Sequence, residues 1–189
     1  LIKPDRTVTF ETYEVRVTLP SGEVSFIMEL WIPEGDGPFP VLLTGDGCWR
    51  FFNDNAAADA VKRGYIAAAF NRASVAADNK ERYRDTGIYR AVPDPTFGAV
   101  AAWAWGYHRC VDVLRELDVV QGDQIAITGH SRGGKTALLA GATDERIAIT
   151  NPNCSGTGGS GLNRLKEPRS EVINDFIKSG NIFWFGDQW

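Results

Sequence analysis

The run Ile125-Ala126-Ile127-Thr128-Gly129-His130-Ser131-Arg132-Gly133-Gly134-Lys135-Thr136-Ala137-Leu138-Leu139-Ala140 restricts the fold more than any other stretch of the chain. It reads as a short apolar strand, a tight turn and a helix. The turn has the pattern G-x-S-x-G with Ser131 at its centre. In such a turn the serine sits in a strained backbone and its hydroxyl is lifted above the edge of a sheet. Strand and helix pass close together there, so small residues are needed on both sides, and Gly129 and Gly133 supply them. A bare G-x-S-x-G arises readily by chance. The β-branched run before it and the Ala/Leu helix after it give the pattern its weight. The free N–H groups of the helix N-terminus then point at a reacting carbonyl oxygen.

The rest of the chain supplies a sheet for that turn to sit on. Residues 7 to 19 alternate, with Val8, Phe10, Tyr13, Val15, Val17 and Leu19 mostly two apart, as in a half-buried strand. Pro20 to Glu23 is a turn, and Phe26 to Ile32 pairs back as a hairpin. Pro33 to Pro40 reads as a loop. Val41 to Thr44 and Ile66 to Phe70 are continuous apolar runs, as expected of strands buried on both faces. Between them, Ala56 to Arg63 forms a helix closed by Gly64. Residues 71 to 97, polar and arginine-bearing, read as a long surface excursion. Gly98 to Leu117 is an amphipathic helix in which Trp103 and Trp105 are read as packing residues. Ile147 to Thr150 is a further strand, Asn151 to Gly161 a Gly/Ser loop, and Glu171 to Ile177 a short helix. Strands alternating with helices predict an α/β fold with a mostly parallel sheet and helices on both faces. Its functional residues would lie at the carboxyl ends of the strands.

Composition narrows the function. The length of 189 residues suits one domain with a full core. The net charge of −4, with no basic block, speaks against a nucleic-acid partner. No run reaches the ~18 apolar residues of a membrane span. The cysteines, Cys48, Cys110 and Cys154, lack metal-ligand spacing and are expected to be small buried residues. The chain opens on Leu1 without an initiator Met, so the sequence carries no address. It closes on Asn181 to Trp189, an aromatic cluster without a polar tail, which reads as a cut through a core or a site.

A serine nucleophile needs a histidine base, itself oriented by an acid. The strand-turn-helix pattern is the nucleophile elbow of α/β-hydrolases, in which the chain order is serine, acid, histidine. Gly45-Asp46-Gly47-Cys48, after the third strand, stands where that fold places a loop donating a second oxyanion N–H. The two histidines, His108 and His130, both precede Ser131. His130 is adjacent to it, with its ring expected to point away. The triad is therefore expected to be incomplete within these residues.

Ser131-Arg132-Gly133-Gly134-Lys135 resembles the S-R-x-G-K signature of the glucuronoyl esterases, the fifteenth carbohydrate esterase family. Ala102-Trp103-Ala104-Trp105-Gly106, the Ser155-Gly156-Thr157-Gly158-Gly159 loop and Phe183-Trp184-Phe185 resemble further elements of that family. The likeness covers most of the chain from about residue 25. It implies an α/β-hydrolase three-layer sandwich, a mostly parallel central sheet with an N-terminal hairpin, present as the N-terminal portion of a single domain over 1-189 with the C-terminal part missing. It implies Ser131 as nucleophile and Arg132 as oxyanion cation. Lys135, Glu171 and Trp184 would bind substrate. The implied substrate is the ester between (4-O-methyl-)glucuronic acid of xylan and a lignin alcohol. The implied location is extracellular or periplasmic, and neither metal nor organic cofactor is implied. The family's usual triad glutamate falls on Cys154, which cannot orient an imidazolium as a carboxylate does. The acid on a later strand and the histidine would lie past Trp189, so the 189 residues alone are expected to be inactive. An acetyl xylan esterase or other small-ester hydrolase shares the fold, and a non-catalytic carbohydrate-binding or degenerate hydrolase fragment is the reading from a different class.

Overall fold

The computed structural model describes residues 8–48, 54–164, 168 and 170–186. The part of the terminal aromatic cluster at 187–189 lies outside the described residues. A six-stranded sheet in the order β1-β2-β4-β3-β5-β6 forms the centre. β1 (Val8–Leu19) and β2 (Gly22–Pro33) make the expected hairpin, and β2 runs antiparallel to β4 (Ile66–Phe70). From β4 through β3 (Phe39–Thr44) and β5 (Val120–His130) to β6 (Ile149–Asn153) every pairing is parallel. The sheet is thus mostly parallel with an antiparallel N-terminal edge, as expected. β4 is buried at every position, which explains its unbroken apolar run, Ile-Ala-Ala-Ala-Phe, and its small residues let helices approach.

Helices cover both faces. α1 (Asp54–Lys62) lays Ala57, Ala60 and Val61 against Ala67, with Trp31, Leu42 and Val8 around them. Gly64, at φ +82°, ends it in the left-handed conformation expected of a helix-terminating glycine. The opposite face carries the main core. α2 (Arg72–Val75), α3 (Ile88–Ala91), α4 (Ala99–Arg115) and α5 (Arg132–Thr143) contribute to it. α4 buries Ala99, Ala102, Trp103, Gly106, Tyr107, Cys110, Val111 and Leu114. These alternate by three and by one, the spacing of a single helix face.

Three expectations change. The stretch 71–97 is not a surface excursion: Arg72, Tyr83, Ile88, Tyr89 and Ala91 are buried within it. Edge-to-face contact of Tyr83 with Tyr89 and stacking of Tyr89 on Phe97 hold it down. β6 begins and ends later than expected, so Asn151 to Asn153 are strand and the loop starts at Cys154. Of the cysteines only Cys110 is buried; Cys48 is intermediate and Cys154 exposed.

Tyr107 on α4 links the fold to the site. Its hydroxyl donates to the carbonyl of Thr128 at 2.8 Å and accepts from the amide of Gly45 at 2.7 Å. It therefore ties together the carboxyl ends of β3 and β5. Burial pushes its phenol well above the ordinary value, so it stays protonated and able to donate.

Candidate active site

Ser131 joins β5 to α5 at φ 55° and ψ −116°. A non-glycine residue held there costs on the order of 1–3 kcal/mol and persists only where its surroundings impose it. Those surroundings are visible. The Ser131 amide donates to the carbonyl of Asn153 at 2.9 Å, at the end of β6. The amide before it, on His130, donates to Asp46 Oδ2 at 2.6 Å. A Cβ on Gly129 would lie 2.3 Å from the carbonyl oxygen of Gly133, so strand and helix do require glycine there. A Cβ on Gly133 would meet the carboxylate of Asp46 at 2.1 Å. The second glycine thus makes room for a side chain from another strand end. Ser131 itself is exposed at the carboxyl end of the sheet.

Asp46 is 2% exposed. Burial pushes its carboxyl upward, opposed by the guanidinium of Arg72 and the amide of His130. Arg72, fully buried, pairs with Asp46 and reaches Asp78 Oδ2 at 3.2 Å, while its Cζ lies 5.0 Å from the Trp103 ring centroid. Trp103 is itself fixed by donating Nε1 to the carbonyl of Ala76 at 2.8 Å. Asp78 Oδ1 accepts from Arg132 Nη1 at 3.0 Å, and Arg132 Cζ lies 4.8 Å from the Trp184 ring centroid. Four charges of alternating sign therefore run from the elbow backbone to the Arg132 guanidinium. Of these only Arg132 was picked out from sequence. Arg72 and Asp78 lie in the supposed surface excursion, and Asp46 was read only as part of a loop donating an oxyanion N–H.

Lys135 begins the next turn of α5, its amide donating to the carbonyl of Ser131 at 3.1 Å. Its ammonium donates to the carbonyl of Ser155 at 2.5 Å and lies 3.9 Å from Glu171 Oε2 and 5.4 Å from the Phe176 ring centroid. Burial lowers its pKa, with Glu171 pulling the other way. Glu171 Oε2 also accepts from the Thr157 amide at 3.2 Å, and the Thr157 hydroxyl donates to the Glu171 carbonyl at 2.6 Å. The Ser155 to Gly159 loop is drawn onto the Lys135–Glu171 pair in this way. Trp184 is buried at the end of a short 3-10 turn, Asn181–Trp184, beside Phe176 on α6 (Ile173–Ser179). A Cβ on Gly98 would lie 2.4 Å from the carbonyl of Trp184, so the start of α4 seats this segment by close backbone approach. Buried Trp184 Nε1 has no hydrogen-bond partner among the described residues. Ser131, Arg132, Lys135, Glu171 and Trp184 therefore converge, Arg132 on Trp184 and Lys135 on Glu171.

One further expectation meets the geometry differently. The Gly45 to Gly47 amides are already engaged. Gly45 donates to Tyr107, Asp46 to Thr44 Oγ1 at 3.2 Å, and Gly47 to the carbonyl of Phe70 at 3.1 Å. None of the three is an oxyanion donor, and the loop serves the elbow through the Asp46 side chain. The histidines are occupied elsewhere. His130 Nδ1 meets the side-chain amide of Asn153 at 3.2 Å. His108 Nε2 lies 3.1 Å from the carbonyl of Ala140, nine residues and so ~13 Å along α5 from Ser131. Cys154, with φ 48°, stands exposed at the end of β6. No cluster of three potential metal ligands occurs among the described residues.

A mostly parallel sheet carrying a strained serine between β5 and α5 defines an α/β-hydrolase with a serine elbow. The chain belongs to the glucuronoyl esterase family, since the family profile described as "Glucuronyl esterase, fungi" matches residues 15–188. It is 31% identical over 181 residues to a 4-O-methyl-glucuronoyl methylesterase of Thermothelomyces thermophilus, covering 90% of this chain and 43% of that one. Among solved structures it is similar to a glucuronoyl esterase of carbohydrate esterase family 15 from Teredinibacter turnerae. There the TM-score is 0.80 and the identity 26%, over 97% of this chain and 50% of the other. It is also similar to a glucuronoyl esterase mutant from Sporotrichum thermophile in complex with methyl 4-O-methyl-β-D-glucopyranuronate, with TM-score 0.70 and 27% identity, over 97% of this chain and 51% of that one. The chain spans about half the length of these relatives.

Proposed function

We propose that these residues form the nucleophile-bearing, N-terminal portion of a single-domain carboxylic ester hydrolase. Its substrates are esters of glucuronic acid, with glucuronoxylan joined to lignin alcohols as the polymer and an extracellular or periplasmic site of action. The observation that carries the reading is that the first turn of α5, directly after the strained Ser131, bears both Arg132, paired with Asp78, and Lys135, paired with Glu171. Ser131 Oγ attacks the uronoyl carbonyl and Arg132 stabilises the oxyanion in a partly dry cleft. The alcohol leaves, and water then releases the uronic acid from the acyl-enzyme. Lys135 and Glu171 hold sugar hydroxyls as donor and acceptor, and buried Trp184 backs them with its ring against the Arg132 guanidinium. The proton of Ser131 needs a base, and both histidines here are engaged away from it. A histidine from outside the 189 residues completes the reaction, and its loss costs on the order of a millionfold in rate.

That dependence gives the test. Hydrolysis of benzyl glucuronate and of an acetylated xylo-oligosaccharide is followed with and without added imidazole, which stands in for the missing base. Intact mass is taken on the same sample, and Ser131→Ala is the control. Uronate turnover that appears with imidazole and vanishes in the variant is expected. Imidazole-dependent rates equal in both proteins, or confined to the acetyl ester, would overturn the reading. The occupied histidines and Cys154 also favour a second reading, a non-catalytic carbohydrate-binding fragment; uronate binding without rescue would support it.

A further inference from the structure

We propose that Asp78 is a positioning residue that holds the Arg132 guanidinium over the Ser131 elbow, and that buried Arg72 locks Asp78 and the elbow backbone into one rigid unit. The inference rests on the esterase reading for its catalytic meaning, although its geometry stands apart from it.

Arg132 has a third of its side chain exposed. An arginine of that exposure carries ~2 kcal/mol of rotamer entropy, and an exposed ion pair alone rarely offsets it. Asp78, however, is not a mobile surface carboxylate. It is 9% exposed, and Oδ2 is spoken for by Arg72, which is 0% exposed. That leaves Oδ1 aimed at Arg132 Nη1, 3.0 Å away. On the other side the guanidinium lies against the Trp184 ring, a cation–π contact that grows stronger as water is excluded. Arg132 is therefore clamped between a carboxylate and an aromatic face.

Arg72 extends the clamp to the nucleophile. Its other partner, Asp46, receives the His130 amide and fills the space that Gly133 leaves open. The carboxylates come from the ends of β3 and α2, and the two arginines from the starts of α2 and α5. Buried charges in such a series are costly to break, because removing one leaves its neighbours uncompensated. The consequence is functional. An oxyanion stabiliser is effective when it is fixed before charge develops, so that no reorganisation is spent during the reaction. Asp78 supplies that fixing for Arg132, as Asp46 does for the Ser131 backbone.

The test reads Arg132 directly, in the 189-residue chain. Side-chain guanidinium NMR with 15N-arginine, with the Arg132 signal assigned by its loss in Arg132→Lys, reports whether rotation about its Cζ–N bonds is hindered. Hindered rotation in the unmodified chain, freed in Asp78→Asn and regained at least in part in Asp78→Glu, is expected. The Arg146 guanidinium, in its own network with Asp112 and Asp144, stays unchanged throughout. Free rotation of Arg132 in the unmodified chain overturns the proposal without any Asp78 variant having to fold. So does a folded Asp78→Asn chain with lower stability and unaltered Arg132, which would make Asp78 merely structural. In the imidazole-supported assay, Asp78→Asn lowers kcat roughly 10- to 100-fold with KM within about twofold. A rise in KM at unchanged kcat overturns it instead. If the unmodified chain hydrolyses nothing, the esterase reading fails while the NMR arm still decides the Asp78–Arg132 link.

Discussion

Ser131 stores strain where the chemistry needs an exposed hydroxyl. Because its φ of 55° suits glycine, Ser131→Gly is expected to raise the unfolding free energy by about 1 kcal/mol, strain relief less the entropy of a new glycine. Ser131→Ala leaves it within about 0.5 kcal/mol. Urea unfolding of the three proteins decides this, and a Ser131→Gly less stable than Ser131→Ala would show that the turn is not strained. Lys135 makes a second residue-scale prediction. Burial places its folded pKa below the ordinary ~10.4. Between those two values the unfolded chain binds more protons, so stability rises with pH across the window and is lost again as pH falls through the folded value. The stability of the wild type minus that of Lys135→Met should therefore climb with rising pH below the ordinary lysine value and level off above it. A flat difference would mean the ammonium is not desolvated. At this scale Ser131, Arg132 and Lys135 were readable because one motif holds them in register. Asp46, Arg72 and Asp78 were not, because an isolated arginine in a polar stretch looks the same whether solvent or two buried carboxylates face it.

Among the elements, 71–97 departs most from its sequence, and the reason is visible in Gly87. It starts α3 at φ 50°, and a Cβ there would lie 1.8 Å from the carbonyl oxygen of Val75. The stretch is folded onto itself by a backbone approach that only glycine permits, so periodicity over its two four-residue helices had nothing to register. Gly87→Ala is expected to cost more than the ~1 kcal/mol of an ordinary left-handed glycine. It should also lower the urea midpoint and shift the fluorescence of Trp103, whose Nε1 bond to Ala76 lies next to Val75. An Ala variant of unchanged midpoint would show that the stretch is loosely held after all. By contrast α4, β4 and the hairpin were legible, since their apolar spacing is long enough to fix type and face, while strand ends moved in β2, β3, β5 and β6. Those ends are set by pairing with neighbours, as Ala126 opposite Ile149 and His130 opposite Asn153 show, which a single strand's own residues do not encode.

Among the described residues the two faces of the sheet are unequal, and the site belongs to the heavier one. α1 rests on a small cluster of three alanines and Val61, ringed by Val8, Trp31 and Leu42. The elements that carry or support Ser131, Arg132, Lys135 and Trp184 share the large core instead. Phe176, Phe183 and Trp184 are continuous there with Trp103, Tyr107, Ile125 and Ile127. At about 25 cal/mol per Å² of apolar surface buried, a face built from alanine contributes far less than one built from Trp, Tyr, Leu and Ile. Opening α1 should therefore need less than global unfolding, whereas the elbow strand and α4 should open only with the whole domain. Native-state hydrogen exchange tests this. The amides of α1 should exchange with an opening free energy well below that of β5 and α4 and with little dependence on denaturant, the signature of local opening. Ala60→Leu, by overpacking the small face, should speed exchange in α1 and leave the amides of β5 where they were. Equal protection of α1 and β5, or β5 following α1 in the variant, would mean that the thin layer is coupled to the site, and that the charge series from Asp46 to Arg132 is held from both sides of the sheet.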